Sequence, residues 1–189
     1  MRIERTKMRT LGPTVLPVTL EAARTSLRVD GDALDAMINI WLAGIVSELE
    51  HEIGQVLMEQ SWEVRQNGFT PRVKLPHPVI AVTEVVYRDQ AGNELTLAPT
   101  EYRVVRTRYE SVLVPASGRN WPQCCNEFDA VTVRLQCGYG ATPDSTPDSV
   151  KLYILAKLVD QFDPVTQSDR GTRQSQFIDR LLDSCRSQL

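Results

Sequence analysis

Apolar positions recur at three- and four-residue steps through Leu34, Ile38, Trp41, Leu42, Ile45, Leu49, Ile53 and Val56. That spacing predicts a helix over residues 32–59 with one apolar stripe. Asp35, Asn39, Glu50 and Gln55 fall on its opposite face. Roughly 28 helical residues would span about 42 Å at 1.5 Å each. Such a one-sided helix has to lie against other helices or a sheet. Upstream, Thr19 is a suitable N-cap for a shorter helix over 20–28, with Leu20, Ala23 and Leu27 on one face. Asp30-Gly31-Asp32 ends it.

At Ser61 the period changes from helical to alternating. Trp62 and Val64, then Val73 and Leu75, alternate with polar residues, as strands do. Pro76-His77-Pro78 interrupts. Val79 to Tyr87 is rich in β-branched residues and predicts the strongest strand. Asp89 to Asn93 is a turn, and Glu94 to Leu97 returns as the second arm of a hairpin. Tyr102–Arg106, Ser111–Val114 and Ala130–Cys137 are further strands, the last ended by Gly138-Tyr139-Gly140. Pro147 then suits the first turn of a helix over 148–162, with Val150, Ile154, Leu155, Leu158 and Phe162 on its apolar face. A last helix is expected over 173–187, with Phe177, Ile178, Leu181, Leu182 and Cys185 on one side.

The expected fold class is α+β: a helical core of two N-terminal and two C-terminal helices with an inserted antiparallel β-rich subdomain. The boundaries are a flexible basic arm at 1–15, a helical core at 16–60 and 148–189, the β-rich insertion at 61–140, and a Pro-rich linker at 141–147.

Composition narrows the class without naming a function. The 189 residues are 42% hydrophobic and 24% charged, with net charge −3. These values are ordinary for a globular chain and wrong for a generic polyanion binder. No run approaches the roughly 20 apolar residues of a membrane span, and no apolar segment follows the basic N-terminus as in a secretory signal. Synthesis in the cytoplasm, and no membrane partner, are therefore expected. The four cysteines, Cys124, Cys125, Cys137 and Cys185, form no CxxC pair, and there are two histidines. Reduced thiols and no structural metal site are expected.

The candidate chemistry is thin. His51-Glu52 begins like the HExxH metalloprotease signature, but Gln55 stands where the second histidine ligand is required. Glu48 and Glu52 lie one helical turn apart with no converging partner, as on a solvated face. No GxSxG is present, and Gly138-x-Gly140 is too short for a nucleotide loop. No catalytic, cofactor-binding or metal-binding residue is assigned, and the chain is read as not an enzyme. Two basic features point to a polyanion: the arm with Arg2, Arg5, Lys7 and Arg9, and Arg103, Arg106 and Arg108 beside Tyr102 and Tyr109. They support an alternative reading as a nucleic-acid-binding module. Solvated arginines that lay their stems along the surface are the simpler account of the second cluster. Trp121, in the loop SGRNWP, is an interface candidate or a residue packed beneath that loop.

The segment LPVTLEAARTSLRVDGDALDAMINIWLAGIVSELEHEIG resembles the opening of tailed-phage head–tail connector proteins, also called adaptor or head-completion proteins. Arg24 stands where a lysine is usual. The later phrases Gln60-Ser61-Trp62, Leu75-Pro76-x-Pro78-Val79, Tyr102-Arg103-Val104, Trp121-Pro122 and Gly138-Tyr139-Gly140 resemble a longer prophage-type subgroup. The resemblance therefore runs from about residue 16 to 162. It implies a structural protein of the virion head–tail junction, made in a bacterial host. It implies a ring of copies, dodecameric to match the portal protein, with DNA passing through its channel and a downstream tail or stopper protein below. No cofactor is implied. On this reading Phe177, Ile178, Leu181 and Leu182 dock on the portal or a neighbouring copy. Truncation after residue 170 is then expected to abolish that association and leave the monomer folded.

Overall fold

Gly54 decides where the long helix stops. The computed structural model describes residues 5–162 and 180–183. Its helices are α1 (Leu20–Leu27), α2 (Asp35–Ile53) and α3 (Asp148–Phe162). Gly54 takes the left-handed conformation, φ 66°, at the end of α2, where a residue without Cβ is favoured. The helix is thus 19 residues rather than the expected run to residue 59. Val56, Leu57 and Met58 remain buried outside any helix. Their apolarity extends the helical pattern, but their backbone is held differently. The Glu50 carboxylate accepts the Leu57 amide at 2.8 Å, and the Leu57 carbonyl accepts the Tyr139 amide at 3.1 Å.

The chain divides into two compact units, 14–58 with 139–189, and 1–13 with 59–138. In the helix-bearing unit, Thr19 caps α1 as expected, its hydroxyl accepting the Ala22 amide at 3.2 Å. Arg28 closes that helix in the left-handed region, φ 56°. Ile38, Leu42, Val46, Leu49 and Ile53 of α2 meet Ala23 and Leu27 of α1 and Val150, Ile154 and Leu158 of α3. Trp41 packs edge-on against Phe162, ring centroids 5.9 Å apart. The expected helix over 173–187 lies outside the described residues except at 180–183. There Leu182 is fully buried in the same core, with Leu181 packed beside it.

The other unit holds two antiparallel sheets. Five strands, β1 (Arg5–Leu11), β2 (Gln60–Gln66), β4 (Val79–Arg88), β5 (Glu94–Thr96) and β8 (Val131–Cys137), lie in the order β1-β2-β8-β4-β5. The other three, β3 (Val73–Leu75), β6 (Tyr102–Arg106) and β7 (Ser111–Pro115), lie in the order β3-β7-β6. The row Val64, Val133 and Val85 is in register across β2, β8 and β4 and wholly buried. On the opposite face the row Glu63, Arg134 and Glu84 crosses the same strands. The hairpin turn is tied by Asp89, whose Oδ1 accepts the Ala91 and Asn93 amides at 2.9 Å each.

Arg5–Leu11 corrects the expected arm. It pairs antiparallel with β2, from Arg5 opposite Gln66 to Leu11 opposite Ser61. All seven residues are exposed, so no buried face imposes the apolar alternation by which strands are recognised. The backbone ladder defines β1, and the side chains do not advertise it.

Candidate interaction surfaces

The described residues bring no reactive constellation together. No group of three His, Cys, Asp or Glu among them is placed to hold a metal, and no described helix is long and apolar enough to cross a membrane. Glu48 and Glu52 are exposed on α2. The other histidine, His77, is structural. It is buried between Ser111, whose hydroxyl is 2.9 Å from Nδ1, and the Arg108 carbonyl, 3.2 Å from Nε2. A carbonyl only accepts, so Nε2 carries the proton and Nδ1 accepts from Ser111. Burial lowers the imidazole pKa below its ordinary value, more than the Arg108 carbonyl raises it. Cys124 and Cys125 are free, half-buried thiols.

The expected cationic residues part company. Arg2 lies outside the described residues. Arg106 is structural: its guanidinium donates to the Val79 carbonyl at 2.8 Å and the Ile80 carbonyl at 2.9 Å, tying β6 to β4. Arg108 lies over the Tyr109 ring, 5.4 Å from its centroid. Arg103 is exposed on β6. Arg5, Lys7 and Arg9 project from β1 on the same side as Gln66, Val64 and Trp62. The Arg5 guanidinium reaches the Lys74 carbonyl at 3.5 Å. Lys7 stays in contact with water, but the protein around its ammonium partly desolvates it, and this, then the charges of Arg5 and Lys74, push its pKa down. Lys74 belongs to this cationic group and was not legible in the sequence, because only the approach of β3 to β1 brings it there. Beneath the row, the Trp62 indole N–H and the Gln66 amide nitrogen are buried donors without a partner among the described residues.

The opposite face of the large sheet is electrostatically closed. Burial pushes the Glu63 carboxyl up, but Arg134, at 3.0 Å, and Arg65 together outweigh it and hold its pKa below the usual value. Arg134 also pairs with Glu84, and Arg65 with Asp129 at 3.2 Å. Trp121 is anchored too: it stacks on Phe69 with centroids 4.5 Å apart, and its indole N–H donates to the Thr70 carbonyl at 2.7 Å. Of the interface candidates near the C-terminus, Phe177 and Ile178 lie outside the described residues. Leu182 is turned into its own core, which corrects its expected place on a docking face.

The largest departure from expectation is on α2. Opposite its buried stripe, where a polar face was expected, Met37 and Ile40 are 47% and 66% exposed. Ala36, Ala43, Gly44 and Ser47 are exposed on the same side. The expected polar residues lie elsewhere: Asp35 is paired with Arg24 at 2.7 Å, and Glu50 caps Leu57.

These features define a mixed α+β chain with antiparallel sheets. No protein-family model matches the sequence, and no curated protein matches it. Solved structures share the fold. A chain of "Virion of native gene transfer agent (GTA) particle" is 19% identical with TM-score 0.76, over 96% of this chain and 95% of that one. A chain of "Neck of empty GTA particle computed with C6 symmetry" is 19% identical with TM-score 0.67, over 86% of this chain and 84% of that one. A chain of "Neck of native GTA particle computed with C12 symmetry" is 22% identical with TM-score 0.60, over 81% and 82%.

Proposed function

We propose that this chain is a structural adaptor of a tailed-phage-like particle, forming a ring at the head–tail junction. The observation that carries the proposal is the likeness, over nearly the whole length of both chains, to a component of a virion particle, with further likeness to chains of its neck. The symmetry in those neck descriptions supports a ring, and the phrases between residues 16 and 162 independently resemble the connector family. In this role one end of the ring binds a portal protein and the other a tail or stopper protein. DNA passes through the channel. A closed ring requires two different, complementary surfaces on each copy.

The test is electron microscopy of the purified chain mixed with the portal protein of the same particle. A closed ring stacked coaxially on the portal is expected. A persistent monomer that binds duplex DNA with steep salt dependence would replace this reading with the nucleic-acid-binding one. Docking of the C-terminal region on the portal is part of the proposal. Truncation after residue 170 no longer tests it cleanly, because it also removes buried Leu182. Replacing Phe177 and Ile178 with serine leaves that core residue in place, and is expected to weaken portal association.

A further inference from the structure

An edge strand leaves one row of backbone donors and acceptors unmatched. β1 lies at the edge of the five-stranded sheet. Among the described residues its backbone pairs with β2 alone. All of its residues are exposed.

The two faces of β1 differ. Arg5, Lys7 and Arg9 lie on the side of Gln66, Val64 and Trp62. Among the described residues none of these three cations, nor Lys74 beside them, is in an ion pair. Arg5 reaches the Lys74 carbonyl and Arg9 the Gln60 side-chain oxygen, each at 3.5 Å and each neutral. Trp62 and Gln66 add two N–H donors without an acceptor among the described residues. Met8 and Leu11 lie on the opposite face, beside Glu63 and Ser61, and are 47% and 62% exposed.

Charges on an edge discourage pairing with a like strand. They exclude a second β1, whose cations would meet these. Cations in a row also repel one another, as the lowered Lys7 pKa records, until carboxylates arrive. The spacing defines the complement. Alternate residues of a strand lie about 6.8 Å apart on one face. An added strand with a carboxylate at every second position therefore meets all three cations, and its intervening residues fall beside Met8 and Leu11. This chain has one run with three carboxylates at that period, Glu48, Glu50 and Glu52, and α2 holds it as helix.

We propose that β1 is a docking edge for an extended segment of a different protein, in which carboxylates alternate with apolar residues. The segment adds to the sheet as a further strand. The backbone ladder supplies affinity, and the cationic and apolar faces supply specificity. Capture by a single copy neither needs nor excludes a ring, so the inference goes beyond the adaptor reading and does not depend on it.

Peptide titration tests it. The probe is a fluorescein-labelled peptide in which Glu and Val alternate over the length of β1, and binding to the full-length chain is read by anisotropy. One comparison peptide has the same composition with Glu and Val in separate blocks. Another keeps the sequence and carries a methyl on every backbone nitrogen, which preserves the charges and removes the ladder donors. The alternating peptide is expected to bind saturably, and both comparison peptides at least about tenfold more weakly. A chain carrying Arg5→Gln, Lys7→Gln and Arg9→Gln is expected to lose about tenfold for the alternating peptide and to unfold at the wild-type temperature. If that variant is destabilised, Lys7→Gln alone decides, with an expected loss of about threefold. Undiminished binding by the variants would overturn the proposal, as would the absence of saturable binding to the wild type. Equal binding of the methylated or block peptide would make the row a patch for any anion and would overturn strand addition. Tighter binding of duplex DNA than of the peptide, at equal concentration of charge, would assign the cations to phosphates and overturn it too.

Discussion

Arg106 offers a direct contest between two accounts of one residue. Its place in an Arg- and Tyr-rich strand suggested a phosphate contact, whereas its guanidinium bridges two backbone carbonyls of β4. Hydrogen bonds from charged donors contribute about 1.5–3 kcal/mol each when shielded. One of these two is exposed and is discounted for screening, so the bridge is worth about 2 kcal/mol. Arg106→Met removes it and leaves both carbonyls to water or to nothing. Arg106→Lys keeps the charge but reaches one carbonyl, and recovers about half. Urea unfolding of the three proteins measures this, with the loss of about 2 kcal/mol read as a lower midpoint at unchanged slope. An Arg106→Met protein within about 0.5 kcal/mol of wild type, the range of an ordinary surface change, would refute the bridging account.

Other outcomes follow from the same geometry. Gly54→Ala is expected to cost about 1 kcal/mol, the usual penalty of a left-handed residue bearing Cβ, because space for the methyl is open and only φ resists; calorimetry reads it. Trp121→Ala loses the Phe69 stack and the Thr70 hydrogen bond and is expected to destabilise by about 2–4 kcal/mol without altering ring assembly, so a stable variant that cannot assemble would restore Trp121 as an interface anchor. His77 and Glu63 both have lowered values in the folded chain, so the unfolded chain binds their protons first on acidification. Stability present above about pH 6.5 for His77 and about 4.3 for Glu63 is lost as pH falls through each window. His77→Phe is expected to flatten the upper part of a stability–pH curve and Glu63→Gln the lower.

Most elements were legible because their side chains had to meet a core. β2, β4, β8 and the helix from Asp148 to Phe162 carry that imprint, whereas the exposed Thr19 cap and the wholly exposed β5 were legible from capping and turn chemistry. What was not legible had other causes. Gln55–Met58 kept helical apolar spacing after Gly54 had turned the backbone away. β1 has no buried face and so no pattern. The outer stripe of α2 is built from Ala, Gly and Ser around Met37 and Ile40, residues that read as neutral filling until exposure gives them a common side. Leu182 reads as an outward anchor in the sequence, and Trp121 as either an interface residue or one packed beneath its loop, because a sequence shows apolarity and not its direction. Lys74 joins Lys7 only through a contact between strands far apart in the chain.

β1 also has a thermodynamic character of its own. It is an edge strand held by one backbone ladder, and beside it on β2 Trp62 and Gln66 each bury a donor without a partner among the described residues. Such an orphan costs about 1–3 kcal/mol. Peeling the strand away admits water to both, which offsets part of the ladder lost. The strand is therefore expected to open more readily than β2 or β8, each of which is paired on both sides. Amide exchange along Arg5–Leu11 is expected to be faster than along β2 and β8, which makes that stretch the first to report opening of the sheet.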